Sequence, residues 1–309
     1  MADLRRWTCF SVIASIVTLS TPPVSLAQVS PDLTSGGSNA ALVGPWEFTF
    51  DGRIGVPTGR LQVGEFPTGS APGGEGRPGT LLRLRDLGID VSGTVEATAA
   101  FHFTPRDAVR ASYLYYFLRG STTVNGASVV FNGQEFTAGP LDTNADFYRI
   151  SLAYERTLLS RPSGEQLIGS VGLTYVNLNP TLTGSSPPGS SGEAHGPSNS
   201  EDFYRQELPV PILGFRWDHP LGRRWLFRAS VSGGGLPRVD SGRQEGGTVY
   251  LQQSHADAGI GLAYLFGPHT QLDAGYHFTY FFQHEKSPED NNLFELIDNG
   301  VQVRFTVRF

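Results

Sequence analysis

The chain has 309 residues, of which 39% are hydrophobic, 17% charged and 38 glycine, and its formal net charge is −6. Charge is sparse and glycine abundant for a soluble protein. Twenty Phe, 11 Tyr and 4 Trp exclude disorder, one cysteine excludes a disulfide scaffold, and the acidic balance disfavours a nucleic-acid partner. No run of ~20 apolar residues, the length a helical span needs, follows the first 30 positions.

Residues 1–27 read as a secretory signal peptide: Arg5 and Arg6 start it, Phe10 to Leu19 form a short apolar run, and Ser25-Leu26-Ala27 places small residues at a cleavage point before Gln28. Cleavage would remove Cys9, the only cysteine, and leave a net charge of −7. Residues 28–44, rich in Ser, Gly, Asn and Pro, read as a flexible leader, and 45–309 as one domain.

That domain alternates with period two. Trp46, Phe48, Phe50, Ile54 and Val56 face Glu47, Thr49, Asp51 and Arg53; Val95 to Phe103, Leu272 to Phe282 and Val301 to Phe309 repeat the pattern. Segments of ~10 alternating residues are what lipid-facing barrels show, because closure leaves no backbone group unpaired in hydrocarbon. Ten strands are predicted at 45–56, 93–104, 107–119, 143–158, 166–178, 204–217, 222–236, 248–266, 270–283 and 293–309. Short and long connections alternate between them, which puts both ends of the domain on the short-turn, periplasmic side and makes the strand number even. The fold expected is therefore all-β, an antiparallel transmembrane β-barrel of about ten strands, with eight or twelve as alternatives. Val129 to Phe136, with Asn132-Gly133 at its centre, is either a projecting hairpin or two further wall strands. Leu81 to Arg85 also alternates and could extend the second strand.

The closing strand, with odd apolar residues and a terminal Phe309, resembles the C-terminal recognition strand of Gram-negative outer-membrane β-barrels. The stretch Leu84 to Asp90, followed by a strand, a Pro-Arg turn and a Tyr-rich strand, looks like poorly characterised small barrels of that class. The resemblance implies a place in the outer membrane, contact with its lipid including lipopolysaccharide, and delivery by the barrel-assembly machinery, with Phe305, Val307 and Phe309 as the assembly signal. It implies no activity.

Parity from the last strand sorts the charges. Glu47, Asp51, Arg53, Glu96, Arg110, Arg149, Glu155, Arg216, Arg228, Asp257, Asp273, Arg304 and Arg308 are expected to point into the lumen. There, mixed signs read first as a packed filling of ion pairs. A sharper reading takes His255, Asp257 and His277 as a catalytic cluster, since a histidine beside a carboxylate can act as a general base. No nucleophile accompanies them, because Ser254 has lipid-facing parity. An omptin-like protease would need an Asp/His couple at the extracellular rim, whereas Asp218-His219 is expected in a periplasmic turn. The seven histidines have no metal-ligand spacing, and no cofactor or metal is expected. Tyr113, Tyr115, Phe117 and Phe281-Phe282 read as an interfacial girdle. The function expected is a structural, surface-interaction or small-solute passage role. The alternatives are an outer-membrane hydrolase of lipid or peptide and a soluble periplasmic carrier; the sequence does not identify a protein partner.

Overall fold

Strands with one apolar and one polar face satisfy every backbone group only when pairing continues until the last strand meets the first. The computed structural model, which describes residues 44–64, 79–126, 128–185, 198–200, 208–244, 248–288 and 290–309, has that closure. Ten strands form the wall: β1 (Trp46–Gln62), β2 (Ser92–His102), β3 (Asp107–Phe117), β4 (Phe147–Ser160), β5 (Gln166–Leu178), β6 (Val210–Pro220), β7 (Trp225–Gln244), β8 (Thr248–Leu265), β9 (Thr270–Lys286) and β10 (Asn291–Arg308). Each pairs antiparallel with the next, and β10 pairs with β1 from Glu47↔Arg308 to Gln62↔Leu293. At the foot of this seam Trp46 and Phe309 exchange backbone hydrogen bonds of 3.0 Å, and the Phe309 ring stacks on Phe48. The expected signal peptide and leader lie outside the described residues, apart from Gly44.

The side chains are distributed inside out relative to a water-soluble protein. Phe50, Ile54, Val56, Leu213, Phe215, Val231, Ile260, Val301 and Val303 are each more than half exposed, while Glu47, Asp51, Arg53, Asp273 and His277 are buried. A surface of that kind is stable against hydrocarbon and unstable against water. The chain is thus a transmembrane-type barrel rather than a soluble sandwich or carrier.

Several strands outrun their sequence boundaries at the long-loop end. β1 continues through Pro57 to Gln62 because β10 continues opposite it. β7 continues through Pro237, where its register against β8 slips between Leu236 and Val239; a proline, lacking an N–H, is accommodated at such a bulge. At the short-turn end, Asp218 and His219 belong to β6 and not to the turn. The ladder runs on to Pro220↔Leu226, with Asp218 directly opposite Arg228, and their charge attraction favours the two further pairs.

The wall has ten strands because Val129–Phe131 and Gln134–Phe136 pair only with each other. Asn132 and Gly133, both at positive φ, make the turn of this projecting hairpin. Leu81 to Arg85 does not extend β2. Leu82–Arg83 pairs with Leu61 and Arg60 of β1, and Leu84–Leu87 forms a 3₁₀ turn ended by left-handed Gly88.

These loop segments fold inward. Leu84, Leu87 and Ile89, with Phe131 and Phe136 of the hairpin, join Leu61, Tyr116, Phe147, Phe281, Phe294 and Leu296 of the wall in one apolar cluster. Tyr116 stacks on Phe147 at 4.6 Å and Phe147 on Phe281 at 5.5 Å. Phe281 therefore faces inward and is no part of a lipid girdle, unlike the outward Tyr113 and Phe117. A second sheet, from Arg119–Val124, Gly139–Asn144, Thr181–Gly184 and Ser198–Ser200, is built by the loops at the same end. The barrel interior carries its apolar cluster at the long-loop end, where Gln253, Gln283, Glu285 and Asn292 are also buried, and its arginine–carboxylate network toward the short-turn end.

Candidate functional site: the charged lumen

Odd residues of β1, β8 and β9 and even residues of β10 point inward, so alternation alone delivers charges to the axis. They assemble in two tiers. In the lower tier Arg308 Nε donates to Glu47 Oε2 (2.8 Å), and Arg110 Nη2 donates to Glu47 Oε1 (3.0 Å). Arg110 also grips Glu155 through Nε and Nη2 at 2.7 and 3.1 Å. Arg216 lies between Glu155 and Asp218, 3.7 and 3.6 Å from their oxygens. Arg228 donates to Asp218 and to Asp273, each at 2.8 Å, and Gln271 Nε2 donates to both Asp273 oxygens. Asp273 is the register partner of Arg304 on β10, which returns the ring to the seam.

The upper tier starts from a conflict. Asp51 and Glu96 are register partners on β1 and β2, and like charges placed opposite repel. Arg53, one inward step above Asp51, resolves it. Its Nε donates to Asp51 Oδ1 at 2.7 Å and its Nη2 donates to Glu96 Oε2. Arg304 Nε donates to the other Asp51 oxygen at 3.0 Å. Arg53 Nη1 also approaches His277 Nε2 to 3.2 Å.

The three catalytic candidates are partly brought together. Gly259 pairs with His277 and Asp257 with Thr279, so Asp257 is diagonal to His277. The link between them is Thr279. Its hydroxyl donates to Asp257 Oδ1 at 2.8 Å and lies 2.5 Å from His277 Nε2. A hydroxyl has one proton, so Thr279 can donate to Asp257 or to His277 but not to both. Arg149 Nη1 takes the second Asp257 oxygen at 2.8 Å. His255 stands apart: its Nε2 contacts Gln253 Nε2 at 2.6 Å and its ring lies against Phe281. Asp257 and His277 are thus held by arginines on both sides, and the bridging Thr279 is 1% exposed. Sequence reasoning missed Thr279, since its parity was legible but a neutral hydroxyl gives no signal among threonines that face either way.

Space remains beside the charges. A cavity of about 230 Å³ is lined by seven arginines (Arg53, Arg110, Arg149, Arg216, Arg228, Arg304, Arg308) and five carboxylates (Glu47, Asp51, Glu96, Glu155, Asp257). A second, of about 170 Å³, shares Glu96, Arg110, Arg149, Glu155 and Asp257 and reaches His255. The cause is local. β1, β3 and β4 carry long charged residues at inward positions, whereas β5 to β8 offer Ser170, Gly214, Ser230, Ser232 and Gly259.

No family model matches the chain. A stretch of 75 residues is 36% identical to a probable glycine dehydrogenase (decarboxylating) subunit 2 of Thermococcus onnurineus, and 64 residues are 36% identical to the protein of the same name from Thermococcus gammatolerans. These stretches are 24% and 21% of this chain, which spans only 14% and 13% of those proteins. In fold the chain is similar to the outer membrane protease OmpT from Escherichia coli (TM-score 0.45, 10% identity, 85% of this chain and 97% of that one). It is also similar to the translocator domain of the autotransporter NalP from Neisseria meningitidis (0.43, 14%, 86% and 89%). A third is the COG4313 outer membrane channel from Pseudomonas putida F1 (0.38, 12%, 91% and 100%).

Proposed function

We propose that this chain is an integral outer-membrane β-barrel, exported by the segment 1–27 and sealed toward the outside by its own loops. Its role is structural or surface-interacting, with solute movement limited to what enters the lumen from the periplasmic side. One observation carries this reading: the long-loop half of the lumen holds an apolar cluster that includes loop residues Leu84, Leu87, Ile89 and Phe131, packed beside the buried side chains of Gln253, Gln283, Glu285 and Asn292. Ions crossing such a tightly packed region must shed most of their water, which is costly. The outward apolar belt supports lipid contact, and exposed Arg83 and Arg85 beside the long-loop rim suit the phosphates of lipopolysaccharide. Recognition of Phe305, Val307 and Phe309 by the assembly machinery is supported by their place on the closing seam, with Phe305 and Phe309 facing outward. A hydrolase would have to work through His255, Asp257 and His277, whose neighbours are buried arginines rather than a reachable nucleophile.

Membrane fractionation and planar-bilayer recording test the reading together. The wild-type chain should pellet with outer membrane and give no sustained conductance, and L84D/L87D should keep heat-modifiable folding but conduct. Steady wild-type conductance would overturn the sealed lumen; recovery in the periplasmic fraction would overturn the membrane assignment.

A further inference from the structure

The lower ring is uneven in one place. Arg110 and Arg228 each make hydrogen bonds to two carboxylates. Arg216, set between them, makes none. Its nearest carboxylate oxygens are 3.6 and 3.7 Å away, on Asp218 and Glu155, and those two groups are already gripped by Arg228 and Arg110. The Arg216 Nε is sealed from solvent without a hydrogen-bond partner. An arginine has five N–H donors in a rigid fork, and leaving them unused in a confined site costs free energy.

A cavity adjoins Arg216. Seven guanidinium groups and five carboxylates line it, and Asp218 and Asp273, just outside the lining, hold Arg228 at 2.8 Å each, so Arg216 is the cation there that is least tightly met. The side chains there leave about 230 Å³, room for several waters or one small polyatomic ion. The way in is from the short-turn end: the Arg308 side chain at the foot of the lumen is 33% exposed and Arg216 23%, against 8% for Arg53 one tier up.

We propose that the lumen is a binding site for a small oxyanion, a phosphate or a short carboxylate, held by the weakly engaged guanidinium of Arg216 in the arginine-lined cavity and entering from the periplasmic end. The proposal rests on the preceding reading only for the direction of entry. The bound oxygens take Arg216 Nη donors, which make no hydrogen bond to the ring's own carboxylates; its Nε is closed to the space. Charge-assisted, fork-shaped bonds of this kind are the strong ones between arginine and oxyanions. Ser170 and Ser232, small residues on the strands either side of β6, keep the space open.

The test uses the full-length chain folded in detergent micelles, with inorganic phosphate and acetate titrated by calorimetry against chloride at matched ionic strength. Phosphate, acetate or both should bind saturably, and the stronger of the two arms names the anion class. R216Q should weaken binding by about tenfold or more, the loss of a charged hydrogen-bonding partner. S232L, which fills the cavity and keeps every charge, should weaken it similarly, and decides the matter if R216Q does not fold. R161Q, on an exposed turn, should bind as wild type. Absence of saturable binding to the folded wild-type barrel would overturn the site, as would wild-type affinity in S232L or in a folded R216Q. A barrel that pellets with membrane and stays electrically silent yet binds neither anion removes this inference alone.

Discussion

The two halves of the lumen solve one packing problem with opposite chemistry. At the long-loop end, the inward positions of β9 and β10 carry Phe281, Phe294 and Leu296 beside Gln283, Glu285 and Asn292, and loop residues descend to cover the apolar ones. At the short-turn end, the same strands with the same parity carry Asp273, His277, Arg304 and Arg308, and the charges are met by others on nearby strands. The apolar half gains from excluding water and tolerates imprecise partners. The charged half gains little on balance, because desolvation offsets most of the Coulomb attraction, but losing any single member is severe. The contrast teaches that an interior can be filled either by substitutable bulk or by a chain of mutually dependent pairs.

The largest expected effect breaks a pair. Arg228→Leu leaves Asp218 and Asp273 facing each other uncompensated and should lower unfolding stability by about 3–5 kcal/mol, read from the denaturant midpoint in micelles. The sharper version replaces both partners: R149M/D257L should fall within about 1 kcal/mol of wild type while either single change costs several. A midpoint for the double no higher than for the singles would mean that the pair is favourable in itself. In the apolar half Leu84→Ala should cost about 2–5 kcal/mol with no neighbour-dependent rescue. Gly88→Ala should cost about 1–2 kcal/mol from its left-handed φ of 75°, and more if Ser121 cannot retreat, since an added Cβ would sit 2.4 Å from its carbonyl oxygen.

The smallest effect lies outside both halves. In the turn 161–165, Glu165 accepts from the Trp217 indole at 2.9 Å and from Arg161 at 2.7 Å. Chiefly the indole N–H holds its carboxyl below the ordinary value of 4.5. A carboxylate with a lowered folded-state pKa adds stability above its ordinary pKa and loses it as pH falls through the lowered one. Tryptophan emission should therefore stay constant from neutral pH down to about 5 and shift only below about 4.5, and E165Q should abolish that shift.

The wall was legible in the sequence and the cap was not, for one physical reason. A strand between lipid and a polar lumen must alternate, so the thirteen charges expected inside could be sorted by parity alone, and the structure places each of them on the inner face. Above the bilayer that constraint ends. Phe281 was read with Phe282 as part of an interfacial girdle from its place near a strand top; what it packs against instead is Leu84, Leu87 and the 129–136 hairpin, distant in sequence and themselves patterned like strand. Asp218 was misplaced for a related reason. Its strand ends where pairing with Arg228 stops being useful, and a partner across the sheet leaves no local mark.

The seam between β1 and β10 has a consequence for how the cylinder comes into being. Thr49 meets Thr306, Asp51 meets Arg304 and Glu47 meets Arg308, contacts separated by some 250 residues of chain. Until that last edge docks, the inward arginines and acids of both strands stand in open solvent. Zipping the edge and drying the interior are therefore a single event, and a half-wound sheet has no stable resting point on the way.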